Sequence, residues 1–428
     1  MKRARAAVVG GGLSGALQAI HLLREGAAGV TLIERAHAPG RGVAYSTDRP
    51  EHLLNVPARR MSAFPDAPDH FVRWFAARGG DAEAFAPRML FGDYVVELLG
   101  RAGAGLAIVR GDAVDVDGGD ILLADGRRVA ADAVVLAPGN LPPATPRGID
   151  PAALGALWVG DPWASPLAEG LGDDDRVLLL GTGLTAVDAA LTLEANGFRG
   201  RILAVSRRGL APRVHGRREP MCAPQEALPS NCIDLLRRVR SRSAAIGWRS
   251  AVHELRTVTQ DLWAGADEEQ RRRFLRHLRP WWDVHRHKIA PAVGATIEGL
   301  ERDGRLRFAG GRILSVSGDG DVAWRPRGGE ATETVRVARI VNCTGPECDI
   351  VRAGEPLFDA LLARGRIRPD PLRVGIHVDD RCRTLGADGA PSDSLSAIGP
   401  VTRGTFWESV AVPDIRVQAQ AVARRILA

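Results

Sequence analysis

The chain has 428 residues, 45% hydrophobic and 25% charged, an ordinary composition for two or three globular domains with ample core. Its net charge of +6 is carried almost wholly by arginine, with Lys2 and Lys288 as lysines, interspersed with 51 acids. That pattern argues against a nucleic-acid surface and leaves room for an anionic cofactor or substrate. No apolar run reaches the roughly 18 residues of a membrane span, and the apolar stretch after Met1-Lys2-Arg3 is broken by glycines, unlike a signal peptide. A cytoplasmic protein with no membrane or nucleic-acid partner is expected.

Ala6-Ala7-Val8-Val9 reads as a buried strand, and Gly10, Gly12 and Gly15 fit G-x-G-x-x-G, with Leu13 and Ser14 between them. A helix with Leu17, Ile20, Leu22 and Leu23 follows, then a strand Val30–Ile33 that ends in Glu34. Gly10 makes the tight turn, Gly12 lets backbone approach a pyrophosphate, and Gly15 lets helix pack on strand. The helix N-terminus supplies free N–H groups for the phosphates, and Glu34 can accept from a ribose. This predicts a dinucleotide, read as FAD.

Next come the turn-rich segment Pro39–Ser46, with Arg41, and the run His52–Ala58, with Asn55, Val56 and Pro57. Continuing through Met61–Asp66, they suit a loop draped along a ligand. Helices are predicted around His70–Phe75 and over 88–102. Leu106–Val109, Ala113–Val116, Ile121–Leu123 and Arg128-Val129 read together as an antiparallel meander. Ala133–Leu136 then predicts a buried strand running into Ala137-Pro138-Gly139-Asn140, and Pro142, Pro143 and Pro146 a linker.

The theme recurs. Arg176–Leu180 is a strand, and Gly181, Gly183, Leu184, Thr185 and Ala186 form G-x-G-x-x-A at a helix start. The strand Ile202–Ser206 ends in Arg207-Arg208 where the first copy ends in Glu34. Two guanidinium groups there suit a 2′-phosphate, so NADPH is expected over NADH. Residues 213–303 read as a helical insert without counterpart, with helices over Cys232–Arg242, Arg249–Trp263, Glu268–Leu278 and Trp281–Ala290. Trp282 and His285 are candidates there for a substrate wall. Leu306–Phe308, Arg312–Val316, Val322–Trp324 and Val335–Val337 make a second meander, closed by Arg339–Pro346. A strand at Leu395–Ala397, a turn at Ile398-Gly399-Pro400 and a helix opened by Val412–Arg416 end the chain.

Five scattered cysteines, Cys222, Cys232, Cys343, Cys348 and Cys382, fit a reducing compartment without disulfides. Cys343 and Cys348 have C-x4-C spacing but sit at a strand end, which does not suit a thiol relay. No Cys/His cluster has zinc spacing, and no metal is expected.

The expected fold is α/β, with two Rossmann-like dinucleotide-binding domains, each bearing a β-meander, and a helical insert. The FAD domain would comprise 1–150 and 340–428, the NAD(P) domain 151–212 and 304–339, and the insert 213–303. This organisation resembles the glutathione-reductase-like flavoproteins with two dinucleotide-binding domains, whose relatives include flavin monooxygenases that N-hydroxylate amines. It is similar to the FAD-NAD(P)-binding family of bacterial proteins in Gly10–Gly15, Gly42-Val43-Ala44-Tyr45, Leu54–Ala58, Phe64-Pro65, Gly181–Thr185, Ser206–Gly209, Ile398–Pro400 and Pro413–Arg416. The resemblance implies backbone contacts from Gly399 and from Pro413 to Ile415 to the flavin pyrimidine. It also implies Asn55 and Pro57 along the isoalloxazine and Val114 beside the adenine. The better-understood monooxygenases carry a His-containing fingerprint between their two sites, and Trp158-Val159-Gly160-Asp161-Pro162-Trp163 has none. The activity expected is NADPH-dependent oxidation by an FAD enzyme. It would be a monooxygenase acting with molecular oxygen on a small amine or similar nucleophile through a C4a-(hydro)peroxyflavin. A flavin-dependent dehydrogenase or reductase without oxygen insertion is the alternative, and a flavoprotein binding scaffold a third reading. No catalytic side chain is named.

Overall fold

The computed structural model describes residues 4–35, 38–163, 166–216, 223, 224, 226, 228, 229 and 231–428. Cys222 and the first three residues lie outside that set. The first half contains β1 (Arg5–Val9), β2 (Gly29–Glu34), β3 (Leu106–Arg110), β4 (Ala113–Asp117), β5 (Asp120–Leu123), β6 (Arg128–Ala130) and β7 (Ala133–Leu136). The second contains β8 (Trp158–Val159), β9 (Arg176–Leu180), β10 (Arg201–Ser206), β11 (Leu306–Val316), β12 (Asp321–Pro326), β13 (Glu333–Arg336) and β14 (Arg339–Asn342). The chain then returns to the first half with β15 (Arg383–Leu385) and β16 (Pro391–Ala397).

One sheet has the order β15-β16-β7-β1-β2-β3, and a three-stranded meander β4-β5-β6 covers one of its faces. Residues alternate between two cores along β1. Ala6 and Val8 pack with Leu17 and Leu22 of helix Leu13–Arg24 and with Val422 and Ala423 of the terminal helix Val412–Leu427. Ala7 and Val9 pack with Ile121 and Leu123 of the meander and with Leu361. A strand covered on both faces needs apolar side chains at every position, which Ala6–Val9 supplies.

The second sheet, β13-β12-β11-β10-β9-β14-β8, repeats the plan. Val177 and Leu179 pack with Val187 and Leu191 of helix Leu184–Ala195, while Leu178 and Leu180 pack with Val322 and Trp324.

Four boundaries differ from those expected. Leu106–Val109 is not a meander arm but the parallel edge strand β3, with Ile108 beside Leu32. Leu306–Phe308 likewise lies parallel to β10 and runs on through Gly310-Gly311 into the antiparallel arm of β11. Helix Pro291–Arg302 does not belong to the insert. Its Val293, Ile297 and Leu300 share the core of Val187 and Leu191, making it the crossover into β11, as helix Arg88–Gly100 is into β3. Residues 340–342 also lie in the second sheet, since Ile340 pairs with Leu178 and Asn342 with Leu180.

Within the insert, the expected helix Arg249–Trp263 is two, Trp248–Arg256 and Thr259–Gly265. Between them the Thr257 and Thr259 hydroxyls donate to the Glu254 and Leu255 carbonyls at 2.9 and 2.7 Å, helping to turn the chain. Glu268–Arg273 continues as one π-helical turn, Phe274–Leu278, before helix Arg279–Arg286. The insert docks on the segment after Gly399. Trp263 Nε1 donates to the Gly404 carbonyl at 2.8 Å, and the Trp263 ring stacks on Trp407 at 4.6 Å.

Candidate functional site

A cleft of about 800 Å³ opens above the C-terminal ends of β1 and β7, within the ~300–1,000 Å³ usual for ligand and cofactor sites. Gly10, Gly12, Leu13 and Ser14 form its floor, and Glu34 stands at the end of β2. The turn is closed by its glycines. Gly10 has φ +99°, and a Cβ there would strike the Ala137 carbonyl. A Cβ on Gly15 would run into the Gly10 carbonyl oxygen. Gly12 caps helix Leu13–Arg24 in an extended conformation with no side-chain cap, so the positive end of the helix adjoins the cleft. Glu34 Oε2 accepts from the Gly11 amide at 2.5 Å. The acid therefore braces the loop as well as facing the cleft.

Arg41, Gly139 and Ile415 line the same space, together with Gly111, Asp112, Ala113 and Asn140. Arg41 is ion-paired with Asp93. Tyr45 leans on Phe91 at 5.0 Å, and burial pushes its hydroxyl up to about 12 despite the nearby Arg88, so it faces the cleft as a neutral phenol. Residues of the second half complete the wall, among them Asp161, Trp163 and Thr192, with His52 beside them. The sequence carried no local signal for Thr192, which lies two turns into a helix.

Other expected site residues are placed differently. Gly15 is buried beneath the turn, and Ala113 rather than Val114 lines the cleft. The amide of Gly399 is not offered to a ligand, because it donates to Gln418 Oε1 at 2.8 Å. Gly399 has φ +76° and packs so closely on Ser14 that a Cβ would meet its hydroxyl. Pro413, in the first turn of the terminal helix, has no N–H to give, which leaves Ile415 as the cleft contact from that turn. Asn55, Val56 and Pro57 run past the cleft without lining it, and the Asn55 carbonyl accepts from His215 Nε2 at 2.9 Å.

The second glycine loop repeats the geometry of the first. Gly181 has φ +127° and abuts the Cys343 carbonyl, as Gly10 abuts Ala137. Gly183 caps helix Leu184–Ala195 at φ −84° and ψ −164°, close to the −64° and −170° of Gly12. Leu184 and Thr185 open that helix. Thr182 Oγ1 contacts Ser206 Oγ at 2.8 Å and donates to the Leu210 carbonyl at 2.6 Å, fastening the loop to the end of β10. Arg207 is exposed just beyond, and Arg208 donates to the Arg276 carbonyl at 3.4 Å.

Trp282 and His285 lie on helix Arg279–Arg286 and do not line the cleft. His285 Nδ1 contacts the Trp281 carbonyl at 2.7 Å, and its ring meets Trp248 edge-on at 4.9 Å, a packing role. Burial, reinforced by Arg286, pushes the nearby His287 down to about 3. Around it Arg286 pairs with Glu408 at 3.0 Å, and Arg256 pairs with Asp414. Burial alone would raise the Glu408 carboxyl, but Arg286 and Arg256 outweigh it and hold it below the usual range. Burial raises Asp414 in spite of Arg256.

Cys232, Cys343, Cys348 and Cys382 carry free thiols. Burial pushes the Cys343 thiol far up, which removes the thiolate that a disulfide relay needs. Among the described residues no helix is long and apolar enough to cross a membrane.

Residues 7–141 match the model of the FAD-NAD(P)-binding family. No curated protein matches the sequence significantly. Among solved structures, the chain is similar to L-lysine 6-monooxygenase from Pseudomonas syringae, with a TM-score of 0.68, 16% identity and 98% of each chain covered. It is similar to the ornithine N-hydroxylase of Kutzneria sp. 744, determined with reduced FAD, NADP+ and L-ornithine, with a TM-score of 0.63, 16% identity and 99% of each chain covered. It is also similar to the bacillithiol disulfide reductase of Bacillus cereus, with a TM-score of 0.59 and 15% identity, covering 100% of this chain and 99% of that one. The chain thus carries an FAD-NAD(P)-binding domain over residues 7–141 and has, throughout, the two-dinucleotide-domain fold shared by flavin-dependent monooxygenases and reductases.

Proposed function

We propose that the protein is an NADPH-dependent FAD oxidoreductase, and specifically a monooxygenase that acts with molecular oxygen on a small amine or similar nucleophile. The observation that carries the reading is the duplicated glycine loop with opposite charge beside each copy, Glu34 at the first and Arg207-Arg208 at the second. Gly10, Gly12, Leu13 and Ser14 would hold the FAD pyrophosphate and Glu34 its ribose, with Arg41, Gly139 and Ile415 along the same cleft. Gly181, Gly183, Leu184 and Thr185 would hold the nicotinamide nucleotide, with Arg207 and Arg208 on the 2′-phosphate. A carboxylate at the second position would repel that phosphate, whereas a guanidinium pair attracts it. Bound FAD supplies hydride acceptance and oxygen chemistry. The chain's own part is to fix both nucleotides and keep water out of the cleft, where Tyr45 adds a neutral hydroxyl.

The test has two arms on FAD-loaded protein. NADPH should bleach the flavin at least tenfold more effectively than NADH, judged by kcat/KM, and Arg207→Ala with Arg208→Ala should erase that preference. With a panel of small amines, heavy-isotope dioxygen should label the product. Equal use of the two nucleotides would sink the NADPH assignment. Substrate turnover with no label from dioxygen would assign a dehydrogenase or reductase instead.

A further inference from the structure

The wall that the second half contributes to the cleft is fastened to the first half by a buried ion pair centred on Arg88. Arg88 is the first residue of helix Arg88–Gly100. A cation there meets the positive end of the helix dipole and gains nothing locally. Its guanidinium reaches instead to helix Leu184–Ala195. Nη1 lies 2.8 Å from Asp188 Oδ2, and Nη2 donates to Asp188 Oδ1 at 3.0 Å. The two side chains are 14% and 7% exposed, so this is a bidentate, largely desolvated pair. The remaining nitrogen, Nε, donates to the Leu53 carbonyl at 3.1 Å, and the Arg88 amide donates to the His52 carbonyl at 2.8 Å. One planar group therefore grips the backbone leading into Asn55 and the helix opened by the second glycine loop. His52 doubles the link, its Nε2 meeting Thr192 Oγ1 at 3.0 Å while Nδ1 meets Thr47 Oγ1 at 2.8 Å.

We infer that Arg88 and Asp188 are positioning residues for hydride transfer between the two nucleotide sites, holding helix Leu184–Ala195, which opens on the second glycine loop and brings Thr192 to the cleft, in register with the first half. The inference rests on the two-nucleotide reading given above. Hydride transfer requires donor and acceptor atoms about 3–3.5 Å apart, and a misplacement of about 1 Å costs roughly a hundredfold in rate. Leu53–Asn55 belongs to no helix or extended strand and has only an isolated bridge from Leu53 to Pro87. Its placement against the other domain therefore comes from side chains. A lysine could reach Asp188 or Leu53 but could not hold both oxygens and the carbonyl in one plane.

Four proteins loaded with FAD decide it: wild type, Arg88→Lys, Asp188→Asn and the double variant. In anaerobic stopped-flow at saturating NADPH, the limiting rate of flavin bleaching should fall at least about tenfold in both single variants. Bound FAD, and the rate of bleaching by dithionite, which needs no second site, should match wild type. The double variant should be little worse than either single one, because both remove the same link. Amide exchange should quicken together over residues 52–56 and 184–192. A limiting rate within twofold of wild type in Asp188→Asn overturns the inference, as does a loss that dithionite reduction or FAD content shares. If NADPH fails to bleach the wild-type flavin, the nucleotide reading falls, and exchange alone judges the clamp. Joint quickening then supports it, and unaltered exchange over 184–192 in Arg88→Lys overturns it.

Discussion

At Gly15 a hydrogen atom stands where any other residue would drive a carbon into the Gly10 carbonyl. The obstacle is backbone on both sides, so no side-chain rotation relieves it. Gly15→Ala should cost about 1–3 kcal/mol of stability, the range for overpacked sites, and should lower the flavin bound per protein. Thermal unfolding and the ratio of visible to ultraviolet absorbance check the two effects. The second loop carries Ala186 at the matching position and buries it completely, so that helix is set to accept one carbon more. The residue scale also shows where sequence reasoning stops. Glu34 was legible as an acid at the end of the second strand, but its bond to the Gly11 amide depends on how the loop folds back upon it.

Elements were legible where a local period existed and misassigned where only pairing defined them. Leu106–Val109 and Ala113–Val116 are separated by a few residues and look like hairpin arms, yet β3 pairs with a strand more than seventy residues earlier. Helix Pro291–Arg302 carries apolar residues at Val293, Ile297 and Leu300, but which sheet it covers is a matter of packing. The insert's docking makes a pH prediction. His287 sits at the junction of helix Arg279–Arg286 with the Glu408 segment, and its imidazole is held near 3 against an ordinary 6.5, by burial first and then by Arg286. The neutral form is therefore favoured in the fold, and the unfolded chain takes up a proton first as pH falls. Stability contributed by this group is complete above pH 6.5 and declines as pH drops from 6.5 toward 3. By about pH 4 the loss would reach at most ~3 kcal/mol, less to the extent that the partly accessible ring is solvated. Glu408, held below its usual range, adds loss in the same direction at the acid end of that window. Chemical unfolding of wild type and His287→Gln at about pH 7 and about pH 5 should show a shallower pH slope in the variant. Parallel slopes would contradict the assignment.

On the scale of the whole molecule, the cleft lies over the first glycine loop, with walls from both halves and from the returning C-terminal segment. A ligand that fills it binds the folded chain and not the unfolded one, so FAD should stabilise the protein by mass action. At a hundredfold its Kd the gain is about 2.7 kcal/mol. Removing the flavin should lower the unfolding midpoint, and adding it back should restore it with a dependence on flavin concentration. An unfolding midpoint indifferent to FAD would contradict binding in this cleft.

The amino-acid sequence by itself determined the duplication, because each glycine loop, its preceding strand and its following helix are contiguous and governed by local sterics. It also determined the contrast between Glu34 and Arg207-Arg208, since strand ends can be read from apolar runs. Only the tertiary structure decided which strands close each sheet, that the Gly399 amide is spent on Gln418, and that Arg88 reaches Asp188 from a hundred residues away. Those outcomes rest on bonds between segments with no sequence proximity. Their partners are chosen by which polar groups burial leaves face to face, and no local pattern records that.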